Sequence, residues 1–260
     1  MSWNKAGFDR GKSLDIEYGT GKPIRALYSN NHEKMRWMAT YTKEPDTLWW
    51  ISQFEKNKVF YDIGANIGLF SFVAAKHGVK VIAFEPESQN FASLQRNIHA
   101  NPTYDITAYC IGVTNERSFS TLYCSSMGAG SSYHELGVKN KRTTYKQGSY
   151  GLSLDEITKS LPVPNYIKID VDGIERLVID GYSHWDQLDS FLVEMNDDKD
   201  KTYITQKILP LGFKNVSVSN NVIFYKKGFD ASFLTVKNYA RGTAAQQMYK
   251  IINKDGLVAK

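Results

Sequence analysis

Residues 59–71 read Val-Phe-Tyr-Asp-Ile-Gly-Ala-Asn-Ile-Gly-Leu-Phe-Ser, and this stretch decides the fold. Val59, Phe60 and Tyr61 form a short apolar run ending at Asp62, the pattern of a buried strand. After Gly64 and Gly68, the residues Leu69, Phe70, Phe72, Val73 and Ala74 cover most faces of a helix that Gly78 stops. Glycines between a strand and a helix permit tight turning and close backbone approach to a ligand, and the first helical turn offers unpaired N–H groups. A side chain added at Gly64 is expected to fill the ligand's space.

Outward from this loop, 80–84 (KVIAF) is a second strand, closed by Glu85, Pro86 and Glu87. Ser88 precedes a helix with Phe91, Leu94 and Ile98 on one stripe, ended by Asn101 and Pro102. A third strand is expected over 106–113. Further on come a strand at 166–171 (YIKIDV), a helix at 174–180, a strand at 190–195 (SFLVEM) and a helix at 203–209. The runs 213–218 and 222–225 flank Ser219-Asn220-Asn221 and read as a closing antiparallel hairpin. The alternation predicts an open, mostly parallel α/β sheet. Residues 117–153, rich in Ser, Thr, Tyr and Gly, read as an extended or hairpin insertion over one end of that sheet. With no internal repeat or low-complexity linker, one domain is expected over 59–226. Residues 1–58 form an appendage packed onto it through Trp37, Trp49 and Trp50, and 227–260 form a basic tail. In the tail, Ala245, Met248, Tyr249 and Ile252 fall at helical spacing, predicting a final helix docked on its own domain or on a twin subunit in a homodimer.

Composition narrows the class without naming a function. The 260 residues carry a net charge of +5, with 42% hydrophobic and 23% charged residues, which excludes a disordered chain. No apolar run approaches the roughly 20 residues of a membrane helix. The first residues, MSWNKAGFDRGK, lack an apolar core, so no secretory signal is expected. Cys110 and Cys124 are too few for a disulfide framework, and a reducing, cytoplasmic compartment is expected. Residues 1–58 are net +3, residues 59–225 net −3 and residues 226–260 net +5. The basic ends are either solvated surface or a dock for an anionic substrate, partner or membrane.

The loop's chemistry can be narrowed further. Glu85 ends the second strand, placed for bidentate hydrogen bonding to a ribose diol. A dinucleotide fits poorly, because G-x-G-x-x-G started at Gly64 would need glycines where Asn66 and Leu69 stand. The phosphate-cradling G-x-x-x-x-G-K-[ST] pattern does not occur either. Asp62, just before the loop, would repel a pyrophosphate but welcome a cation. S-adenosylmethionine, a sulfonium with an adenosine and no phosphate, suits these residues better.

D-I-G-A-N-I-G at 62–68, F-E-P at 84–86, S-L-D-E-I at 153–157, K-I-D-V-D-G-I-E at 168–175 and L-V-E-M-N at 192–196 together resemble the FkbM-type S-adenosylmethionine-dependent methyltransferases. Asp172 stands where the family more commonly has Glu. The resemblance spans about 57–226 and implies a seven-stranded class I methyltransferase sheet. It also implies O-methylation of a hydroxyl on a carbohydrate, polyketide or similar metabolite. On the same footing, Asp62, Gly64, Ala65, Asn66 and Gly68 would line the methionine end, Glu85 and Pro86 the ribose, and Cys110 and Ile111 the adenine. Asp170 would lie at the ligand end of the fourth strand.

Methyl transfer to an alcohol needs alignment and the removal of one proton. Asp170 is the first candidate base, with a hydrogen-bond anchor as its alternative role, and Glu194 ends the next strand beside it. Asp172 and Glu175 read as a loop or helix-start feature. Asp170, Asp172, Glu194, Asp197 and Asp198 either form a solvated acidic loop or gather around a cation such as Mg²⁺, and without a fixed ligand spacing no metal site is assigned. His134 and His184 are alternative bases, and Tyr123, Tyr133, Tyr145 and Tyr150 either stack on a sugar or ring substrate or decorate an exposed hairpin. The rival readings are a nucleic-acid methyltransferase, which the lack of an N/D-P-P-Y/F motif disfavours, and a non-catalytic cofactor-binding assembly subunit.

Overall fold

The computed structural model describes residues 12–235, apart from positions 133, 138, 140 and 227. The amphipathic tail segment at 245–252, with the homodimer face it suggested, and Tyr133 lie outside the described residues. The chain begins with an antiparallel pair, β1 (Lys12–Ile16) and β2 (Ile24–Tyr28), followed by α1 (Asn31–Met38) and α2 (Pro45–Ile51). Next come β3 (Val59–Ile63), α3 (Leu69–Lys76), β4 (Lys80–Phe84), α4 (Ser88–Ala100) and β5 (Ile106–Tyr109). A second sheet then contributes β6 (Gly112–Thr114), β7 (Ser118–Cys124), β8 (Glu135–Leu136) and β9 (Tyr145–Ser153). The chain closes with α5 (Leu154–Ile157), β10 (Tyr166–Ile169), α6 (Glu175–Asp180), β11 (Ser190–Glu194), α7 (Asp198–Ile208), β12 (Lys214–Val218) and β13 (Asn221–Tyr225).

The main sheet has seven strands in the order β12-β13-β11-β10-β3-β4-β5. Strands β5, β4, β3, β10 and β11 run parallel, and β13 pairs antiparallel with both β11 and β12. The strand order reverses between β3 and β10, the crevice where open α/β sheets bind ligands at their carboxyl ends. The near-continuous Val/Ile/Phe content of the central strands follows from burial on both faces. One face packs Phe60, Val81, Ala83 and Leu192 against α3 and the N-terminal segment. The other packs Tyr61, Ile82, Ile167 and Phe191 against Val178, Trp185 and Ile204.

The expected third strand over 106–113 is two strands. The chain leaves the main sheet after Tyr109, and Gly112 begins the four-stranded sheet β6-β9-β7-β8 by pairing opposite Gly151. Two glycines face each other because Leu136 lies 3.3 Å from a Cβ placed at Gly112 and Thr114 lies 2.7 Å from one at Gly151. The expected helix over 203–209 starts earlier, at Asp198, because the Asp197 side chain caps it by accepting from the Lys199 N–H (2.6 Å). Asp198 and Asp200 occupy its first turn, where the helix dipole favours negative charge.

Helix α4 buries a different face from the one expected. Asn90, Ser93, Leu94 and Asn97 are buried, while Phe91 and Ile98 are only partly so. The polar face carries the N-terminal segment. Asn97 accepts from the Leu27 N–H (2.7 Å), and Asn101 both accepts from Arg25 N–H (2.9 Å) and donates to its carbonyl (2.8 Å). These side chains satisfy the edge of β2 as a further strand would. Glu33 of α1 pairs with Arg96 (3.2 Å) and receives the Ser93 hydroxyl. Trp37 packs on Phe72, and Trp50 donates its indole N–H to Ser190 Oγ (2.8 Å). Trp49 is only partly buried, stacked on Phe233.

Candidate functional site

The loop after β3 is tied to the end of β4. The N–H groups of Gly64 and Ala65 both donate to the Phe84 carbonyl (2.9 and 3.0 Å). Gly64 (φ +81°) and Asn66 (φ 53°) are left-handed. A Cβ at Gly64 would sit 1.9 Å from the Asp170 carbonyl oxygen. The expectation that such a side chain would occupy ligand space is therefore corrected: it collides first with the backbone following β10. A Cβ at Gly68 would likewise meet Leu94 Cδ1 at 2.5 Å, so this glycine serves the approach of α3 to α4.

Glu85 is buried at the tip of β4. Its Oε2 accepts from Asn66 N–H (2.7 Å) and its Oε1 from Glu87 N–H (2.9 Å). Burial pushes its carboxyl up to about 7, against the opposing pull of these two bonds. Asn90 also bonds this carboxyl, and lone-pair capacity remains on it for a ligand hydroxyl while the protein's bonds hold it in place. The Pro86 carbonyl accepts from Gln147 Nε2 (2.6 Å), bringing the second sheet against the end of β4.

A cleft of about 730 Å³, open to solvent, runs along this end of the sheet. Of the sequence candidates, Gly64, Asn66, Glu85, Pro86, Ile111 and Asp170 line it. Asp62, Ala65, Gly68 and Cys110 do not. Asp62 is 1% exposed and takes the Ser71 hydroxyl on Oδ2 (2.6 Å), while its buried Oδ1 has no partner among the described residues. Burial raises its pKa, with Lys168 and Ser71 acting in the opposite direction. Cys110 is exposed, its thiol 3.8 Å from the Pro86 carbonyl, and Gly112 and Val113 join Ile111 at the cleft instead.

Sequence reasoning missed the other walls. Leu122 and Leu136 come from the second sheet, and Arg36 and Lys43 from the N-terminal segment. Residues 129–132 form a strap over the cleft. Asn66 and Asn90 both donate to the Ser131 carbonyl (2.7 and 3.2 Å), and Gly130 N–H donates to Asn90 Oδ1 (2.7 Å). From the opposite side, Asn30 donates to the Ala129 carbonyl (2.9 Å), and Arg36 donates to the Gly130 carbonyl and Ser132 Oγ.

His134 lines the cleft, with its backbone N–H on Asp172 Oδ2 (2.9 Å). Its Nδ1 accepts from Ser125 N–H (3.3 Å), which assigns the ring proton to Nε2. Burial lowers the ring's pKa and favours its neutral form, and its buried Nε2 has no hydrogen-bond partner among the described residues. His184 is exposed, beside Tyr182 and Gln187. Neither does the stacking expectation find its tyrosines at the cleft. Tyr145 donates to Glu87 Oε1 (2.7 Å), Tyr150 packs on the 90%-exposed Phe119, and Tyr123 pairs across from Glu135.

At the reversal point a row of charges crosses the sheet. Register places Lys168 opposite Asp62, and the two-residue period of a strand puts Asp170 on the same face. Lys168, 1% exposed, holds Asp170 Oδ2 at 2.5 Å and lies 5.0 Å over the Phe70 ring. Burial opposes its charge, but Asp170, Glu44 and Asp62 outweigh that and raise its pKa. Burial likewise opposes ionisation of Asp170, yet Lys168 and a hydrogen bond from Glu194 hold it well below the usual carboxylate range. Glu194 is raised by that same hydrogen bond, by burial and by the charge of Asp170. The two carboxyls therefore share one proton, which rests on Glu194. Lys43, paired with Glu44 (2.7 Å), closes over this row, and Asn221 ties Asp46 to it (2.7 Å). Of the five acids weighed as a cation site, Asp170 and Glu194 pair with each other, Asp172 holds His134 and Asp197 caps α7, and no cluster of three metal-ligating residues occurs among the described residues. Glu175 opens α6, buried and raised to about 7 by that burial.

This strand order, with a Gly-Ala-Asn loop and a buried carboxyl at the reversal point, is that of the class I S-adenosylmethionine-dependent methyltransferases. The family model for the methyltransferase FkbM domain matches residues 62–213, and the chain belongs to that family. It is 25% identical over 176 residues to Methyltransferase 1 of Beauveria bassiana, covering 59% of this chain and 71% of that one. It is 27% identical over 158 residues to the hexuronic acid methyltransferase AglP of Haloferax volcanii, covering 58% of this chain and 63% of that one. A precorrin-6Y C5,15-methyltransferase from Geobacter metallireducens aligns with 70% of this chain and 87% of its own at 13% identity, with a TM-score of 0.45. The chain is thus a methyltransferase with S-adenosylmethionine as cofactor. No helix among the described residues is long and apolar enough to cross a membrane.

Proposed function

We propose that the protein methylates a hydroxyl oxygen of a carbohydrate or related metabolite. The observation that carries this reading is Asp170, which lines the cleft just past β10 and is held by Lys168 at 2.5 Å, with Glu194 ending the adjacent strand. The hexuronic acid activity named for AglP supports a saccharide acceptor. When bound, S-adenosylmethionine supplies an activated methyl group and leaves as S-adenosylhomocysteine.

Glu85 would hold the ribose hydroxyls, and Ile111, Gly112, Val113, Leu122 and Leu136 would enclose the adenine. Asn66 and Gly64 would border the methionine end, with Asp62 and Gly68 supporting the loop from behind. Asp170 receives the proton of the acceptor hydroxyl. Glu194 sets its strength: while protonated it weakens Asp170 as a base, and once ionised it strengthens it. Lys168 keeps the pair from collecting a second proton.

The test is transfer of labelled methyl from S-adenosylmethionine to a panel of neutral and acidic glycans, with RNA and protein as comparison acceptors. Label in an alkali-stable sugar ether supports the reading, whereas label only in an alkali-labile methyl ester, formed on a carboxylate, counts against a hydroxyl acceptor. Label confined to RNA or to nitrogen overturns it.

A further inference from the structure

A second concavity adjoins the cofactor cleft, between α1 and the 125–132 segment, with about 1220 Å³ of space open to solvent. Arg36, Lys43, Ser131 and Ser132 line both, so the two adjoin. The groove's charge is one-sided. Arg36 and Lys43 border it, and no carboxylate among the described residues does. On the far side of Lys43 the balance inverts, where Glu44, Asp46 and Glu194 line the adjoining pocket.

Arg36 is the informative residue. Its Nε and Nη2 each donate once, to the Gly130 carbonyl and to Ser132 Oγ, which fixes the guanidinium plane. Three of its five N–H donors have no partner among the described residues. No carboxylate among the described residues pairs with it, whereas Arg96, Arg117 and Arg176 each have an acidic partner. An oriented fork with spare donors fits a planar or tetrahedral oxyanion. One fork and one lysine are too few to follow a nucleic-acid backbone, which takes several phosphate contacts.

We infer that this groove is an acceptor subsite for an oxyanion: the methylated molecule carries a carboxylate, sulfate or phosphate that Arg36 holds while its hydroxyl reaches Asp170. The inference rests on the methyl-acceptor reading above and adds the acceptor's charge. It makes Arg36 and Lys43, both supplied by the N-terminal segment, determinants of specificity.

The experiment is calorimetric titration at low salt of protein saturated with S-adenosylhomocysteine. The probes are methyl β-D-glucuronide, methyl β-D-glucoside and inorganic sulfate. The glucuronide should bind at least tenfold more tightly than the glucoside, and Arg36→Gln should remove that advantage. Arg36 also holds the strap, so a second pair of variants avoids its structural bonds. Met35 borders the groove at 62% exposure, and Met35→Glu should bind the glucuronide at least tenfold more weakly than Met35→Gln.

Equal affinity for glucoside and glucuronide, or equal binding by the two Met35 variants, would overturn the oxyanion subsite and leave the carbohydrate reading standing. Sulfate binding that Arg36→Gln abolishes, with neither sugar bound, would support the subsite and count against the carbohydrate. Binding of none of the three probes overturns the subsite. Failure of S-adenosylhomocysteine to bind counts against the cofactor assignment alone, since the oxyanion titration also reads out in its absence.

Discussion

Glu85, at the end of β4, and Asp170, just past the end of β10, flank the same loop, yet their surroundings drive them apart. Glu85 has two backbone N–H bonds and no cation, and burial raises it to about 7. Asp170 has a buried lysine at 2.5 Å and stays ionised, handing the surplus proton to Glu194. The difference teaches that a carboxyl's position at a strand end does not set its charge. A neighbouring cation does.

The largest expected effect tests the Asp170 side. Asp170→Asn should cut turnover by about 10²–10⁴-fold with cofactor affinity nearly intact, as for loss of a general base. Loss of cofactor binding with turnover per bound cofactor preserved would make Asp170 a binding residue and erase the contrast with Glu85. Lys168→Met leaves a buried carboxylate without its cation, and urea unfolding should show a stability loss of about 3–5 kcal/mol. A loss below 1 kcal/mol would mean that Lys168 does not set the ionisation of the pair.

On the other side, Glu85→Ala should weaken S-adenosylmethionine binding by about 1.5–3 kcal/mol, the range for hydrogen bonds to a charged partner. Unchanged affinity would show Glu85 to be a loop tie only. The smallest effects are in pH. A ribose diol donates to the ionised carboxylate, so cofactor affinity should fall as pH drops below about 7, approaching tenfold per unit. Turnover should rise with pH as Glu194 ionises, and Glu194→Gln should flatten that rise. A profile that Glu194→Gln leaves unaltered assigns the ionisation elsewhere.

The main sheet was legible because its central strands are short apolar runs, three of them followed by Gly64, Pro86 and Gly173, a pattern that burial on both faces enforces. Glu85 and Asp170 were legible for the same reason, as acids terminating such runs. Lys168 was missed, although a lysine inside the apolar run Tyr166–Ile169 has no route to solvent and so announces a buried partner on its own face two residues on. The stripe on α4 was misread because the apolar-face rule assumes a side-chain core, while Asn97 and Asn101 cover a backbone edge. Arg36 and the 129–132 strap carry no periodic signal. Their roles arise only when segments 94 and 96 residues apart meet at the cleft.

The indole bond from Trp50 to Ser190 spans 140 residues. On the ribosome, at 5–20 residues per second, roughly 7–28 s separate the synthesis of its two ends. The β2 edge waits in the same way for Asn97 and Asn101. The segment that roofs the cleft is therefore made first and seated late, over a sheet that must already stand. Arrested nascent chains ending before Ser190 should be cleaved by added protease within residues 24–51, and longer released chains should resist. Protection of the short chains would mean that the N-terminal segment folds alone.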